Sequence, residues 1–346
     1  MLMKKNCRPQ SLQPSSQQDY DFQTHMLNNV QPLWDSTPFK TFKGTAGILI
    51  TWKAFPAKNP KAKIILLHGA GESSMNYLQT VFDLVTSRYS VYTMDFRGHG
   101  SSQRMTQNSK LIHLDQFQHL SNDLGIFTNL VEQFKNTSLP IFILANGMGA
   151  LVSCAHFQKP QKANIRGAIF ISPVPLTIPR SFLHELLFST HLRILNRLGY
   201  GENFAPGQDI TDTDQLTESE THLKNSNKFF QNRISLDSLN TPQKIGYSVQ
   251  FLIQWAHAIR TIIRKPWHHK TPVLIIVGKT NKRALQKNRQ LVNKFEKCQF
   301  VSLAESKLEC INDPKNPIRI QVMSQIFDYL QEWSELRHRA EDKQPP

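Results

Sequence analysis

No apolar run in this 346-residue chain approaches the roughly 18 residues a membrane-spanning helix needs. An integral membrane protein is therefore not expected. The segment Met1 to Asp19 lacks the apolar stretch of a secretory signal, and Cys7 has none before it of the kind a lipoprotein signal carries. Cysteine is scarce. Cys7, Cys154, Cys298 and Cys310 show no metal-ligand spacing and read as reduced thiols of a cytosolic protein. No metal or other cofactor is expected. Histidine fails late in the chain: after His269 only His338 remains.

Acid is the scarcer charge. There are 26 Asp and Glu against 41 Lys and Arg, a net charge of +15. The excess is concentrated. Between Arg260 and Lys297 stand eleven Lys or Arg and one acid, Glu296. Such a window is either a solvated basic face or a surface drawn to anionic lipid headgroups, at about 1 kcal/mol per basic residue. No nucleic-acid motif accompanies the charge, so nucleic acid is not the expected partner.

What the chain does have is alternation. Lys63 to Leu67 is a continuous apolar run, the pattern of a strand buried on both faces. Further strands are expected at Gly47–Trp52, with a partner near Phe39–Phe42, and at Ser90–Met94, Ile141–Leu144, Gly167–Ile171, Val273–Val277 and Gln299–Leu303. Helical spacing separates them over Tyr77–Arg88, Asp115–Phe134, Ala150–Phe157, Leu285–Lys297 and Ile318–Trp333. Strands alternating with helices predict an α/β fold built on a doubly wound, mostly parallel sheet. The alternation breaks from about Pro175 to Gly246, where an inserted helical cap is expected, with helical spacing at Leu183–Leu198. Tyr247–Ile263 reads as helix again. The expected organisation is a disordered segment 1–25, a core of 26–174 and 247–336, a cap at 175–246 and a flexible tail at 337–346.

Three loops carry motifs. The first is His68-Gly69-Ala70-Gly71-Glu72 and the second Asp95-Phe96-Arg97-Gly98-His99-Gly100-Ser101-Ser102. The third, Leu144-Ala145-Asn146-Gly147-Met148-Gly149, joins an expected strand to an expected helix. Together they resemble the lysophospholipase and monoglyceride lipase (serine aminopeptidase-like) branch of the α/β-hydrolases, over roughly residues 45–335. In the cap, Leu216-Thr217-Glu218-Ser219-Glu220, Asn225 and Lys228-Phe229-Phe230 resemble a stretch of bacterial inner-membrane lysophospholipases. Leu114-Asp115-Gln116-Phe117 with Asp123-Leu124 resembles their segment before the third loop.

The resemblance implies a G-x-S-x-G nucleophile elbow at the third loop. Aligned on Met148-Gly149, the serine position is Gly147, which suits the strained turn but has no side chain to attack a carbonyl. The acid expected after Val273–Val277 falls on Asn281, and the base on Leu308, or on Lys307 in a shifted register. The absence of any nearby late histidine agrees. The oxyanion hole implied by the resemblance consists of the Ala70 and Met148 backbone N–H groups, which persist whatever the side chains become.

Other groups are weighed against bland roles. Asp95 and His99 could form an acid–base pair, but a structural loop in which Asp95 and Arg97 satisfy backbone groups is the stronger reading. Ser73 and Ser74 lie near the first oxyanion donor, without a nearby histidine. Ser153 and Cys154 lie up to two turns, or about 10 Å, beyond the elbow and read as core. His268 and His269 lack further ligands for a metal. The sequence therefore predicts a lysophospholipase-like protein without a triad, binding an acyl lipid, a lysophospholipid or a partner, in the cytoplasm or peripherally on the inner face of the membrane. Two alternatives stand beside it: an active esterase with an unrecognised nucleophile, and a basic membrane-surface scaffold with a vestigial pocket.

Overall fold

The structure, a computed structural model, describes residues 21–22, 24–134, 138–160, 163–174, 182–208, 246–278, 282–303, 311 and 317–341. Its centre is an eight-stranded sheet. The strands are β1 (Lys40–Lys43), β2 (Leu49–Phe55), β3 (Ala62–Leu67), β4 (Tyr89–Met94), β6 (Ile141–Asn146), β7 (Ile165–Ile171), β9 (Val273–Val277) and β10 (Cys298–Ser302). They lie in the order β1-β2-β4-β3-β6-β7-β9-β10. The two pairings of β2 are antiparallel. From β4 to β10 the sheet is parallel. The expected architecture is therefore present, with an antiparallel edge.

Period-two alternation sorts the buried strands onto two cores. Ile65 and Leu67 of β3 face one side, with Ile143 and Ala145 of β6. Against them pack α3 (Phe117–Gln133), α4 (Met148–Phe157) and α6 (Val249–Arg264). Ile64 and Leu66 face the other side, with Phe142 and Leu144. That face is covered by α2 (Leu78–Thr86) and α8 (Pro317–Glu341). Helix α3 shows why such segments are helical: Phe117, Leu120, Leu124, Phe127 and Val131 fall on one buried stripe. The helix ends where the buried Lys63 ammonium donates to the carbonyls of Val131 (2.8 Å), Glu132 (3.1 Å) and Phe134 (2.8 Å), satisfying acceptors left open at a helix C-terminus.

Several expectations are corrected. Asp21, Phe22 and His25 are already helical, and His25 reaches Gln79 at 3.2 Å. A π-turn Met26–Val30 runs into α1 (Gln31–Asp35), burying Met26, Val30 and Trp34 at four-residue spacing on the α2 side. Residues 1–20 lie outside the described residues. Tyr247 is not helical. It belongs to β8 (Gly246–Tyr247), which pairs in parallel with β5 (Leu111–Ile112) in a separate two-stranded sheet. Helix α7 spans Lys282–Val292 rather than Leu285–Lys297, and α8 runs past Leu336 to Glu341, into the expected tail. Of the cap, α5 (Phe182–Arg197) is described, while 209–245, with the Leu216–Phe230 motif, lie outside the described residues.

Candidate functional site

The sheet order locates a crevice. From β3 the chain moves outward to β4, then returns to β6 on the other side of β3. Ligands of open α/β sheets sit outside the carboxyl ends of the strands at such a reversal. Here β3 pairs with β6 up to Leu67 opposite Ala145. The next residues on either side are the His68–Glu72 loop and Asn146-Gly147, so two of the three motif loops meet at this point.

Gly147 makes the turn from β6 into α4 with φ 46° and ψ −107°, a conformation that is strained for any residue with a Cβ. Its N–H donates to the Ile171 carbonyl at 2.8 Å. Two residues on, Gly149 lets the helix press against β3. A Cβ there would lie 2.8 Å from Leu67 Cβ and 2.9 Å from the His68 carbonyl oxygen. The Gly149 N–H donates to that same oxygen at 3.2 Å, tying the first turn of α4 to the loop after β3.

That loop is internally fixed. The Gly69 N–H donates to Glu72 Oε2 at 2.7 Å, and the Tyr77 hydroxyl donates to the same oxygen at 2.6 Å. Gly71 takes φ 76°. His68 Nε2 accepts from the Phe96 N–H at 3.0 Å, so the ring proton is on Nδ1, which donates to the Gly69 carbonyl at 2.7 Å. Burial pushes the His68 pKa down to about 4, the Gly69 bond opposing it. The imidazole is therefore a neutral strut. The N–H groups of Ala70 and Met148 donate to no described residue, leaving two main-chain donors at the loops that flank the crevice. The N-terminus of α4 adds its positive end.

The second motif loop is structural in its bonding. Asp95 Oδ1 accepts from the Ser74 N–H (2.8 Å) and hydroxyl (2.6 Å), and Oδ2 accepts from the Ser101 N–H at 2.8 Å. His99 Nδ1 donates to the Arg97 carbonyl at 3.0 Å, while its Nε2 is buried and has no hydrogen-bond partner among the described residues. Burial, reinforced by His68, lowers the His99 pKa to about 3. Asp95 and His99 thus bond to different groups and form no acid–base pair. Arg97 and Asp123 make a fully buried ion pair, Nε to Oδ2 at 2.7 Å and Nη2 to Oδ1 at 2.9 Å. Asp123 also accepts from the Thr45 N–H at 2.7 Å.

The remaining sequence candidates stand apart from the crevice chemistry. Ser73 caps the short turn Ser74–Tyr77 through Asn76. Ser153 donates to the Gly149 carbonyl at 2.8 Å, and both Ser153 and Cys154 are wholly buried. Burial drives the Cys154 thiol far up from its ordinary pKa. His269 Nδ1 accepts from the Thr271 N–H at 3.1 Å and the ring stacks on Phe157. Among the described residues no three His, Cys, Asp or Glu side chains gather as a metal site. Asn281, Lys307 and Leu308 lie outside the described residues. The strands leading to them, β9 and β10, are parallel to β6, so their carboxyl ends share its edge of the sheet.

Sequence reasoning missed a Ser–His–Asp chain. Ser248 Oγ lies 3.0 Å from His113 Nδ1, and His113 Nε2 lies 3.1 Å from Asp115 Oδ1. Ser248 has no exposed surface and its Oγ accepts the Phe251 N–H at 3.0 Å. It is the N-cap of α6, which accounts for its position without any nucleophilic role. With 135 residues separating His113 from Ser248, no local spacing could have revealed it.

The family profile described as "Serine aminopeptidase, S33" matches residues 58–307. The chain belongs to this family. It is 22% identical over 316 residues to the probable lysophospholipase L2 of Haemophilus influenzae, covering 89% of this chain and 97% of that protein. It is 26% identical over 242 residues to the monoglyceride lipase of Rattus norvegicus, covering 70% and 71%. These relatives place it beside the lysophospholipase and monoglyceride lipase branch. Among solved structures, a thermostable carboxyl esterase from Bacillus coagulans superposes with a TM-score of 0.64 at 14% identity, over 86% of this chain and 99% of that one. A soluble variant of the Saccharomyces cerevisiae monoglyceride lipase superposes with 0.63 at 16%, over 86% and 94%. These likenesses establish the α/β-hydrolase fold in this family member.

Proposed function

We propose that this chain is a lysophospholipase-like family member that binds an acyl lipid, lysophospholipid first, without hydrolysing it. One observation carries the reading: the turn where the family's nucleophile would stand is Gly147, held at φ 46° beside a loop that keeps its main-chain donors. Glycine supplies no nucleophile. Asn281 and Leu308, at the positions the family motif assigns to acid and base, supply no charge and no proton acceptor strong enough to replace them. The amides of Ala70 and Met148 still suit the carbonyl oxygen of an acyl group.

A second surface accompanies the crevice. Arg264, Lys265, Lys270, Lys282, Arg289 and Lys297 are exposed, and Glu296 is the one acid from 260 to 297. This charge fits an anionic membrane face, reached from the cytoplasm. No helix among the described residues is long and apolar enough to cross a membrane.

The test is direct. Purified protein is heated with and without lysophospholipid, and its hydrolysis of short acyl esters is measured in parallel. Ligand at about 100 times its dissociation constant should stabilise by roughly 2.7 kcal/mol, with turnover at background. Ester turnover above about 1 s⁻¹, an ordinary enzyme rate, would refute the reading.

A further inference from the structure

Strand β7 lies between β6 and β9, and the residues at its carboxyl end bond to both neighbours. The Ile171 carbonyl accepts the Gly147 N–H of the elbow turn at 2.8 Å. The Ser172 N–H donates to the Ile276 carbonyl of β9 at 2.8 Å, and the Ser172 hydroxyl oxygen accepts the Gly278 N–H at 3.4 Å. Gly278 opens the run to Asn281, the position the family motif assigns to the acid. Just beyond, both main-chain groups of Val174 are held by the buried Asn288 carboxamide of α7. Its Oδ1 accepts the Val174 N–H at 2.9 Å, and its Nδ2 donates to the Val174 carbonyl at 3.1 Å.

Ser172 makes its bonds in the left-handed region, at φ 45°, where a Cβ is unfavourable. The left-handed positions of the three motif loops are all glycine: Gly71, Gly98, Gly100 and Gly147, at φ 76°, 75°, 49° and 46°. Glycine at 172 would make the same turn without strain. The buried serine therefore supplies something that glycine cannot. Stability alone is a poor account of it, because the bond its hydroxyl accepts is long and weak. Strained backbone of this kind gathers where a site needs a fixed geometry. We propose that Ser172 is a positioning residue of the candidate lipid site. Through Gly278 it holds the chain leading to Asn281 at a set distance from the Gly147 turn, so that the opening for the acyl group keeps its width. The inference rests on the lipid-binding reading above, and assigns Ser172 no contact with the ligand.

The experiment titrates the full chain with lauroyl lysophosphatidylcholine below its micelle concentration, and follows deuterium uptake by the segment 273–278. Ser172→Ala removes the hydroxyl and keeps the strain, whereas Ser172→Gly removes both. Ala46→Gly is the control: it relieves another left-handed residue, at φ 58°, in the exposed turn between β1 and β2. Both Ser172 variants should bind the lipid about tenfold more weakly than wild type, the upper end for one lost hydrogen bond. Lipid should slow uptake by 273–278 in wild type and in neither variant. Ser172→Gly should melt at or above Ser172→Ala, which separates its loss of affinity from a loss of stability. Where Ser172→Ala is too unstable to titrate, Ser172→Gly carries the same comparison. The control should bind as wild type does. Ser172 variants with wild-type affinity would overturn the positioning role and leave the lipid reading intact, whatever their melting temperatures. A control that weakens as much as they do would also overturn it, since relief of strain anywhere would then suffice. Wild type that binds no lysophosphatidylcholine would remove the lipid reading and the positioning role with it.

Discussion

A Cβ built on Gly147 would touch nothing closer than the Cα of Gly69, 3.8 Å away. The turn after β6 therefore faces the loop after β3 across room for a side chain that the sequence does not supply. If an acyl headgroup uses that room, filling it should expel the ligand. Gly147→Leu is expected to abolish the thermal shift produced by lysophospholipid. Gly147→Ala should leave most of it, at a similar backbone cost of about 1–3 kcal/mol for a side chain at this φ. Equal ligand shifts in the two variants would place the lipid elsewhere.

The buried histidines make stability depend on pH. His68, His99 and His156 have pKa values lowered to about 4, 3 and 4, chiefly by burial. In the unfolded chain each titrates near 6.5. Below that value the unfolded state takes up protons that the native state refuses, so stability falls as pH falls from about 6.5 toward 4. Each group contributes on the order of 3 kcal/mol across that window. Urea midpoints should drop over this range and stay flat from pH 7 to 8 as far as these groups are concerned. His99→Phe should reduce the slope, whereas an unchanged slope would assign the pH dependence to other groups.

The Arg97–Asp123 pair should be costly to break. Both side chains have no exposed surface. Asp123→Ala would leave a guanidinium unpaired in the core and strand the Thr45 N–H, at a cost of about 3–5 kcal/mol. Arg97→Met with Asp123→Leu should recover much of that loss, because desolvation of both charges disappears together. Urea denaturation of the single and double variants measures this. Additive losses would mean that the two residues are not energetically coupled.

Ser248 separates the binding reading from an enzyme with an unrecognised nucleophile. Ser248→Ala should lower stability by about 1 kcal/mol, the usual value of an N-cap. Any residual ester hydrolysis should remain as in wild type, and no fluorophosphonate adduct should be lost. A wild-type adduct that disappears in this variant would make the Ser248–His113–Asp115 chain catalytic.

The legible parts of this chain were those where burial writes a period. The apolar runs of β3, β6 and β9 predicted the parallel sheet, and Gly147 and Gly149 stood out because strand, glycine turn and helix follow in order. The structural character of the Asp95 loop is legible, since its glycines and short polar side chains account for one another. Two-residue strands such as β5 and β8 carry no period, and in sequence Tyr247 is indistinguishable from the start of the helix that follows it. Met26, Val30 and Trp34 do show a four-residue spacing, but it is hidden in a polar segment. The bonding of Ser248 to His113 and of Arg97 to Asp123 depends on tertiary placement, which no local pattern contains.

The proposed loss of catalysis can be tested by repair. Gly147→Ser alone restores an oxygen at the elbow, and the open space beside Gly69 accepts it. It should gain little activity, because Asn281 carries no charge and Leu308 is no base. Losing the serine of a working triad costs about 10⁶ in turnover, while an oxyanion hole and binding alone leave perhaps 10³–10⁴ over water. Adding Asn281→Asp and Leu308→His would supply acid and base at the positions that the family resemblance implies. If the Ala70 and Met148 amides point at the carbonyl oxygen, the triple variant should hydrolyse short acyl esters well above wild type and react with a fluorophosphonate at position 147. A label at position 147 without turnover would show that the nucleophile is restored and the base is misplaced. Neither label nor turnover, in a variant that still shifts with lysophospholipid, would mean that the lipid binds clear of the elbow, and the assignment of Ala70 and Met148 as its donors would be wrong.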